Sequence, residues 1–560
     1  QNGLGYAALN CFELMKCEGL SPDEVTFACV LKACGSIGAI EDGKKIHDDI
    51  VDKGLLGKNV VLGTALVGMY AKCGMLMKAR QLHDELSERS IVSWNALIAG
   101  YAEQDQCHES LECLGQMEKE GFYPDAITFV CILKVCGKIG AIAKGEQIHD
   151  EIMSRGLLTE NIMLGTALVD MYAKCSVLEK AKKVLEAIHV RDVISWNSLI
   201  TGYAEQGCGH EALECLERMR CEGLSPDVVT FTCILKACGN VGFINKGQHM
   251  HSEVVYRGLA EVLATTLVDM YAKCGMIVKA QKLHSELHIR SLISWNALIA
   301  GYAQGGQAHE ALNCFKLMCG EGFCPDAITY TCILTACGSA GAIDKGKEIH
   351  DVIIRGGLLR ENIMLGTSLV DMYAKCNVLE KAQEVLQELP VRDVAAWNAL
   401  IAGYAQRGRG HEALNCFTRM LDEGLSPDSV TLLCVLNSCS HSGLLDEAEM
   451  HFGNMKTKYG ITPVLEHNTC MVVVLGSAGH FDKVMLLIKS MPPNHYPAVW
   501  LALLSTCRKW GNVKLGRLAF DQTIQLGCNS AAACVLMANI FADACMQEDA
   551  EKIGSFEAGE

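Results

Sequence analysis

Apolar residues recur at helical spacing along the chain, and the helices that they predict come in pairs. In the stretch 192–227 the first stripe, at the i, i+3, i+4, i+7 spacing of one helix face, consists of Trp196, Leu199, Ile200 and Tyr203. A second stripe consists of Ala212, Leu213, Leu216 and Met219. Gly207 and Gly209 separate the two stripes, and Gly223 and Pro226 end the second helix. One pair cannot bury both stripes, whereas stacked pairs can, so the pattern predicts an all-α fold, an α-solenoid of helix-turn-helix repeats.

The helix pairs repeat with a nearly fixed period, which indicates the fold class before any side-chain chemistry is considered. Trp94, Trp196, Trp295 and Trp397 lie 102, 99 and 102 residues apart. Each period contains three units of 36, 31 and 35 residues, except that the first unit of the third period is three residues shorter. The predicted units are 24–59, 60–90, 91–125, 126–161, 162–192, 193–227, 228–260, 261–291, 292–326, 327–362, 363–393 and 394–428. A truncated unit at 1–23 precedes them, a final long and a final short unit occupy 429–496, and 497–560 begins as a further helix pair and ends polar.

Composition narrows the classes of function. The formal net charge of −16 argues against a simple cationic binder of nucleic acid but leaves room for a local basic stripe. Two sets among the 30 cysteines recur in phase with the repeat, Cys34, Cys136, Cys238, Cys337 and Cys439 in one and Cys73, Cys175, Cys274 and Cys376 in the other. No CxxC pair occurs, and the phased cysteines indicate core residues in a reducing compartment rather than disulfides or zinc ligands. No apolar run approaches the length of a membrane span, so none is predicted. The chain starts inside a repeat, and we therefore expect it to be internal to a longer protein.

Short sequence motifs recur at fixed positions in the three kinds of unit. The 35-residue units carry SWNALIAGYA or close variants, the 36-residue units carry TFxCxLKACG with GxxIH, and the 31-residue units carry ALVDMYAKCG. In these words and lengths the units resemble the P-, L- and S-type motifs of plant pentatricopeptide repeat proteins of the P-L-S class. The tail from Pro497, with the word GNVKLG, resembles the E-type extension of that class. The resemblance implies a right-handed superhelix that binds single-stranded RNA, one base per repeat.

The resemblance assigns base readout to the fifth and the last residue of each unit. In the P-type units these are Asn and Asp, a combination that in the family favours uracil; the pairs are Asn95 with Asp125, Asn197 with Asp227, Asn296 with Asp326, and Asn398 with Asp428. A carboxamide offers both a donor and an acceptor to the edge of a base. The alternative is that these are ordinary helix-terminus residues.

The S-type units carry Thr at the fifth position. Their pairs are Thr64 with Ser90, Thr166 with Asp192, Thr265 with Ser291, and Thr367 with Asp393. Thr with Asp implies guanine, whereas Ser departs from the family code and implies only a purine. The L-type units carry Ala28, Val130, Thr232, Thr331 and Leu433 at this position, and most of these side chains cannot hydrogen-bond a base. The expected target therefore resembles 5′-RUnGUnRUnGUn-3′, in which R is a purine.

The resemblance implies two further groups of RNA-binding residues. The second residue of a unit sandwiches the base, and these residues are Val92, Ile194 and Ile293 in P-type units and Val61, Met163, Val262 and Met364 in S-type units, with the smaller Ala395 in the last P-type unit. A lysine recurs in the word MYAKC and is placed to meet phosphates; it is Lys72, Lys174, Lys273 and Lys375. The alternatives are plain core packing for the first group and a lysine favoured by the helix dipole for the second.

No enzymatic activity and no cofactor are expected of this chain. HxE triplets, as at His83, His251 and His284, supply half of a zinc-deaminase motif, but PCxxC does not occur. The resemblance implies that a deaminase would lie in a missing C-terminal DYW domain or would be supplied in trans through the E-type extension. Three functions stay open: a recognition factor for C-to-U RNA editing in a mitochondrion or chloroplast, an organellar RNA-binding protein for transcript stability, processing or translation, and a protein–protein scaffold.

Overall fold

The computed structural model of the chain is helical in the residues that it describes, which are 2–56, 59–158, 161–360, 362–491, 496–526, 531–544 and 546. Over these residues there is no strand, and the regular structure consists of 32 α-helices and one 3₁₀ turn at Leu358–Arg360. The chain divides into two compact units, Gln1–Leu287 and His288–Glu560. The all-α solenoid predicted from the repeat is confirmed within each unit.

The first unit contains helices α1 to α17. They are α1 (Asn2–Cys17), α2 (Glu24–Ile37), α3 (Ile40–Asp52), α4 (Val60–Lys72), α5 (Leu76–Glu85), α6 (Ile91–Glu103), α7 (Cys107–Lys119), α8 (Ala126–Ile139), α9 (Ile142–Ser154), α10 (Ile162–Lys174), α11 (Leu178–Ala187), α12 (Val193–Glu205), α13 (Gly209–Cys221), α14 (Val228–Val241), α15 (Ile244–Tyr256), α16 (Ala264–Lys273) and α17 (Ile277–Glu286).

The second unit contains helices α18 to α32. They are α18 (Leu292–Gln304), α19 (Ala308–Gly320), α20 (Ala327–Ala340), α21 (Ile343–Arg355), α22 (Ile363–Lys375), α23 (Leu379–Glu388), α24 (Val394–Gln406), α25 (Gly410–Asp422), α26 (Ser429–Ser442), α27 (Leu445–Thr457), α28 (Leu465–Ser477), α29 (Phe481–Ser490), α30 (Pro497–Lys509), α31 (Val513–Gln525) and α32 (Ala531–Asp543).

The first helix of each pair forms the continuous spine of its unit. In the first unit α2 packs on α4, α4 on α6 and α6 on α8, and in the second unit α20 packs on α22, α22 on α24 and α24 on α26. Each second helix packs mainly on the first helix of its own pair. The first helices are therefore apolar on more than one side, whereas the second helices are amphipathic.

Polar caps fix where the first helices begin. Asp125 accepts a hydrogen bond from the backbone N–H of Thr128 at the start of α8, and Asn161 does the same for Met163 and Leu164 at the start of α10. Such side chains satisfy backbone donors that have no partner inside the helix. In the triplets, each first helix begins at the first residue of its predicted unit, with one exception.

The exception is α16, which begins at Ala264, three residues after the predicted start of its unit at 261. Ala260 stands where other S-type units have a capping Asn, and Leu263 at the start of α16 makes no side-chain capping bond. Without a cap the first turn is not stabilised, and Val262 lies in a turn rather than in a helix. The three-residue deletion in the preceding unit thus shortens this helix.

Glycine in the word WNALIAGYA allows two first helices to approach closely. A Cβ atom at Gly100 would lie 2.7 Å from Ala71 Cβ and 3.1 Å from Leu76 Cδ2. Atoms do not pack at such distances, so a side chain here would push α6 away from α4. The small residue is therefore a packing requirement of the repeat.

One set of repeat-phased cysteines lies in the core, as its spacing predicts, whereas the other set, Cys73, Cys175, Cys274 and Cys376, is half-buried. Cys34, Cys136, Cys238, Cys337 and Cys439 are fully buried, and burial raises the pKa of the Cys136 thiol to about 11. A thiol with so high a pKa is protonated and unreactive at neutral pH. Among the helices of the described ranges, none has both the length and the apolar character needed to cross a membrane.

Candidate functional site

A row of exposed aliphatic side chains marks one edge of the first helices. The second residues of the P- and S-type units, from Val61 to Met364, are 64–70% exposed, although most apolar residues of the same helices are buried. They are Val61, Val92, Met163, Ile194 and Val262 in the first compact unit and Ile293 and Met364 in the second. Repeated exposure of large apolar side chains at one position indicates a surface that a ligand covers.

The L-type units continue this row, which the sequence analysis did not anticipate. Their second residues are also exposed; they are Val25, Ile127, Val229, Ile328 and Val430. The position is thus aliphatic and exposed in every unit of the four triplets except the last P-type unit, where it is the exposed but smaller Ala395. The signal was visible in the sequence as a large aliphatic residue at the second position of all but one of these units.

The fifth residue of each P-type unit lies one turn further along the helix and is held by the next unit. Asn95 donates from Nδ2 to Asp125 Oδ1 over 3.0 Å and to Asp125 Oδ2 over 3.1 Å. The hydroxyl of Thr128 donates to Asn95 Oδ1 over 2.6 Å. Val92 and Asn95 are three residues apart on α6, so they share one face of the helix.

The same pairs of Asn and Asp form in the other three P-type units. The Nδ2 to Oδ1 distances are 3.0 Å for Asn197 and Asp227, 3.1 Å for Asn296 and Asp326, and 3.2 Å for Asn398 and Asp428. The four Asn residues are only 7–8% exposed, so most of each amide is buried. Only a small part of each amide is exposed to solvent, and the Asp carboxylate beside it is more exposed.

The carboxylates of these pairs are ionised near neutral pH. Burial alone would raise the pKa of Asp125, but hydrogen bonds from the Thr128 backbone and from Asn95 outweigh it and lower that pKa. The pKa values of Asp227, Asp326 and Asp428 are lowered in the same way, against the effect of burial. Each pair therefore presents a fixed acceptor beside the amide donor.

The S-type pairs are less uniform. Thr367 donates to Asp393 Oδ1 over 3.1 Å, whereas the Thr166 hydroxyl is buried and has no hydrogen-bond partner among the described residues. Ser90 and Asp192 cap the helices that follow them, α6 and α12. Thr265 belongs to the first compact unit and Ser291 to the second.

A cavity of about 400 Å³ adjoins the pair of Thr166 and Asp192. Its walls bring together residues that the resemblance assigned to two neighbouring units, because Met163 and Ile194 line it along with that pair. Val130, Lys134 and Ser198, none of which had been assigned a role in readout, also line it. The volume lies within the range of about 300–1,000 Å³ that is typical of ligand pockets.

Three of the four lysines in the word MYAKC are neutralised on their own helix. Lys174, Lys273 and Lys375 form ion pairs with Asp170, Asp269 and Asp371, at distances of 2.7, 2.9 and 2.7 Å. In the first triplet Gly68 replaces the Asp, and Lys72 is exposed and in no ion pair within the part of the chain described. An incoming phosphate would have to compete with an aspartate at three of these positions.

The fifth residues of the L-type units, from Ala28 to Leu433, are half-buried. Thr232 donates its hydroxyl to the backbone carbonyl of Val228 in the preceding turn, over 2.8 Å, and is thereby occupied. Val130 is an apolar wall of the cavity described above.

The recurring histidines join neighbouring units. Nδ1 of His47, His149, His251 and His350 lies 2.9 Å from the hydroxyl of Tyr70, Tyr172, Tyr271 and Tyr373, respectively. His83, in one of the HxE triplets, is fully buried against Trp94, with 4.2 Å between the ring centroids. Within the described residues, His, Cys, Asp and Glu form no group of three or more that could hold a metal ion.

Comparison with protein-family models gives matches to repeats along much of the chain. The PPR repeat family matches residues 89–138, 191–240, 290–339 and 392–441. The PPR repeat matches residues 64–91, 262–291, 328–358, 367–394 and 430–459.

Curated relatives match nearly the full chain. A pentatricopeptide repeat-containing protein of Arabidopsis thaliana is 34% identical over 604 residues, which cover 99% of this chain and 71% of the relative. The chloroplastic pentatricopeptide repeat-containing protein DOT4 of Arabidopsis thaliana is 35% identical over 549 residues, which cover 98% of this chain and 63% of DOT4.

Among solved structures, the pentatricopeptide repeat protein PPR10 from maize is similar in fold. It has a TM-score of 0.55 at 20% identity, and the match covers 98% of this chain and 81% of PPR10. The structure of PPR10 in complex with an 18-nt psaJ RNA element has a TM-score of 0.56 at 19% identity, covering 99% of this chain and 82% of PPR10.

Proposed function

The chain belongs to the pentatricopeptide repeat family, and from that premise we propose that it binds single-stranded RNA sequence-specifically, one nucleotide per repeat. The observation that carries the proposal is the row of exposed aliphatic second residues, beside which each P-type unit holds an Asn–Asp pair. The RNA complex of PPR10, a protein of similar fold, supports it. Within the family, the triplet lengths and the words of the tail favour the P-L-S class with an E-type extension.

Each base would enter between the second residues of two consecutive units. At the second S-type unit these are Met163 and Ile194, which line one cavity together with Thr166 and Asp192. The aliphatic side chains would cover the faces of the ring, as aromatic residues do in other single-strand binders. The polar pair would then meet the Watson–Crick edge, which is how repeat proteins of this kind read RNA.

The polar pairs would set the preferred base. In P-type units the Asn amide donates and the Asp carboxylate accepts, which matches the O4 acceptor and N3–H donor of uracil. In S-type units the Thr hydroxyl with Asp would favour guanine, and with Ser a purine. The proposed target is therefore 5′-RUnGUnRUnGUn-3′, read from the first S-type unit to the last L-type unit.

We place this binding in an organelle, as a recognition step of C-to-U RNA editing. Several relatives carry "chloroplastic" in their names, which favours a chloroplast. The helices α30 to α32, in the region that resembles an E-type extension, would dock a deaminase supplied in trans. Deleting the residues after Pro497 should then abolish editing and leave RNA binding intact. If editing persists, the second candidate, a role in transcript stability, processing or translation, is preferred.

A direct binding assay tests the proposal. The purified chain is mixed with a labelled RNA of the proposed pattern and with an RNA of the same composition in shuffled order, and complexes are separated by electrophoresis. Preferential binding of the patterned RNA supports the proposal. Equal or absent binding of both RNAs would instead support a protein–protein scaffold.

A further inference from the structure

The four Asn–Asp pairs differ in one hydrogen bond. The first-turn threonines of the next unit, Thr128, Thr230 and Thr329, donate to Oδ1 of Asn95, Asn197 and Asn296 over 2.6, 2.6 and 2.7 Å. In the fourth pair Thr431 contacts Asp428 over 2.8 Å, and Asn398 Oδ1 is buried without a partner among the described residues. The chain thus contains three sites with this bond and one without it.

The donors and acceptors around Asn95 allow one orientation of its amide. The ionised Asp125 carboxylate can only accept, so the amino group Nδ2 must face it. The Thr128 hydroxyl accepts from the backbone N–H of Asp125 over 3.1 Å. Of the two acceptors that its own proton can reach, Asn95 Oδ1 at 2.6 Å is closer than Asp125 Oδ1 at 3.0 Å. The amide oxygen is therefore held inside the protein, and the second Nδ2 hydrogen is what remains for a ligand.

We infer that Thr128, Thr230 and Thr329 are specificity-determining positioning residues, which strengthen the preference of the adjacent site for uracil over cytosine beyond that given by the Asn–Asp pair. The inference rests on the proposed RNA binding. A fixed Nδ2 donor meets the O4 acceptor of uracil but opposes the amino group of cytosine. Asn398 keeps the bond from its Nδ2 to Asp428 Oδ1 but, within the described part of the chain, lacks a bond to its oxygen. Its amide is therefore held at one end only, and it turns more readily to offer that oxygen to the cytosine amino group.

The inference predicts a difference between sites in the unmodified protein. Replacing the first, second or third uracil of the target by cytosine should reduce affinity more than replacing the fourth, which faces Asn398. No variant is needed for this comparison, so the result does not depend on whether a substituted protein folds.

A pair of matched variants isolates the hydroxyl. Thr128→Val should lower the ratio of affinities for uracil and cytosine at the first P-type site by about tenfold, since one hydrogen bond to a buried group is lost. Thr128→Ser should restore the ratio. Thr431→Val removes the same capping contact to the backbone of its helix but no bond to an Asn, so it should leave the ratio at the fourth site nearly unchanged.

The affinities are measured by titrating each protein with RNAs that differ in one base. A fall in the ratio of affinities for uracil and cytosine that is confined to the first P-type site of Thr128→Val, and that Thr128→Ser does not show, supports the inference. An unchanged ratio, or an equal fall in Thr431→Val, overturns it and leaves RNA binding in place. Absence of any uracil preference in the unmodified protein would overturn the proposed function itself.

Discussion

His149 and Tyr172 share a hydrogen bond of 2.9 Å between the imidazole Nδ1 and the phenol hydroxyl, and this bond joins α9 to α10. The same contact recurs in every triplet. Burial is the main reason that the pKa of His149 is lowered, with Asp150 opposing the shift and Lys180 adding to it. These rings are thus neutral parts of the packing between units, and adding a proton to them costs more than protonating an exposed histidine.

We expect the fold to lose stability in mild acid. Burial, with the charge of Arg89, lowers the pKa of His83 to about 4, from about 6.5 in an unfolded chain. A group whose pKa is lower in the folded state stabilises the fold above its unfolded pKa, and this stabilisation is lost as pH falls from about 6.5 to about 4. For His83 the loss is about 3 kcal/mol.

The acid loss can be assigned to His83 by a substitution. In the variant His83→Leu, the melting temperature should depend less on pH between about 6.5 and 4 than in the unmodified chain. His108→Leu at an exposed position is the control and should keep the original slope. Equal slopes in all three proteins would contradict the role given to His83.

Replacing each of two glycines of one repeat by alanine should change the stability of the fold in opposite directions. Gly100→Ala places a Cβ 2.7 Å from Ala71 Cβ and should destabilise the chain by about 1–3 kcal/mol, because α6 must move away from α4. Gly115→Ala in α7 meets no atom within 4 Å and should stabilise by about 0.5–1 kcal/mol, since alanine is the better helix former. Chemical denaturation of both variants measures the difference.

One substitution in a polar pair should change the preferred base. Asn197→Thr, with Asp227 retained, should move the preference at that site from uracil toward guanine by about 1–3 kcal/mol, by analogy with base readout in DNA. Preferences at the sites of Asn95 and Asn296 serve as internal controls. A variant that retains its uracil preference at the altered site would show that this pair does not read the base.

The aliphatic row should contribute to RNA affinity and not to stability. Ile194→Ser should weaken binding of the patterned RNA by about 1 kcal/mol, because less apolar surface covers the base. Ile194 is 64% exposed, so the melting temperature should barely change. Val190→Ser alters a residue of similar exposure outside the row and should leave affinity unchanged. Equal losses of affinity in both variants would argue against a specific role for the row.

The helix pairs and their starts follow from the sequence because the apolar stripes, the caps and the glycines act locally. Asp125, for example, caps α8 as its position before an apolar stripe predicts. The late start of α16 was not predicted, since the repeat alignment carries over a helix start but not the missing cap at Ala260.

The sequence predicted part of the geometry of the candidate site. The pairing of Asn95 with Asp125 follows the repeat, but the Asn95 oxygen is also held by Thr128, which belongs to the next unit and lies 33 residues further along the chain. The ion pair of Lys174 with Asp170 could have been read from its i, i+4 spacing. The exposed residues of the L-type units, such as Ile127, were overlooked because the fifth residue of most of these units, such as Val130, carries no hydrogen-bonding group.

RNA selected from a random pool by the purified chain would reveal the proposed three-nucleotide register without any assumption about the target. The bound molecules are sequenced and aligned with no pattern imposed. We expect enrichment of uracil at every third nucleotide over four repeats of that spacing, with purines immediately before each uracil. Enriched RNA without a three-nucleotide register, or no enrichment over the starting pool, would contradict readout by the Asn–Asp and Thr pairs.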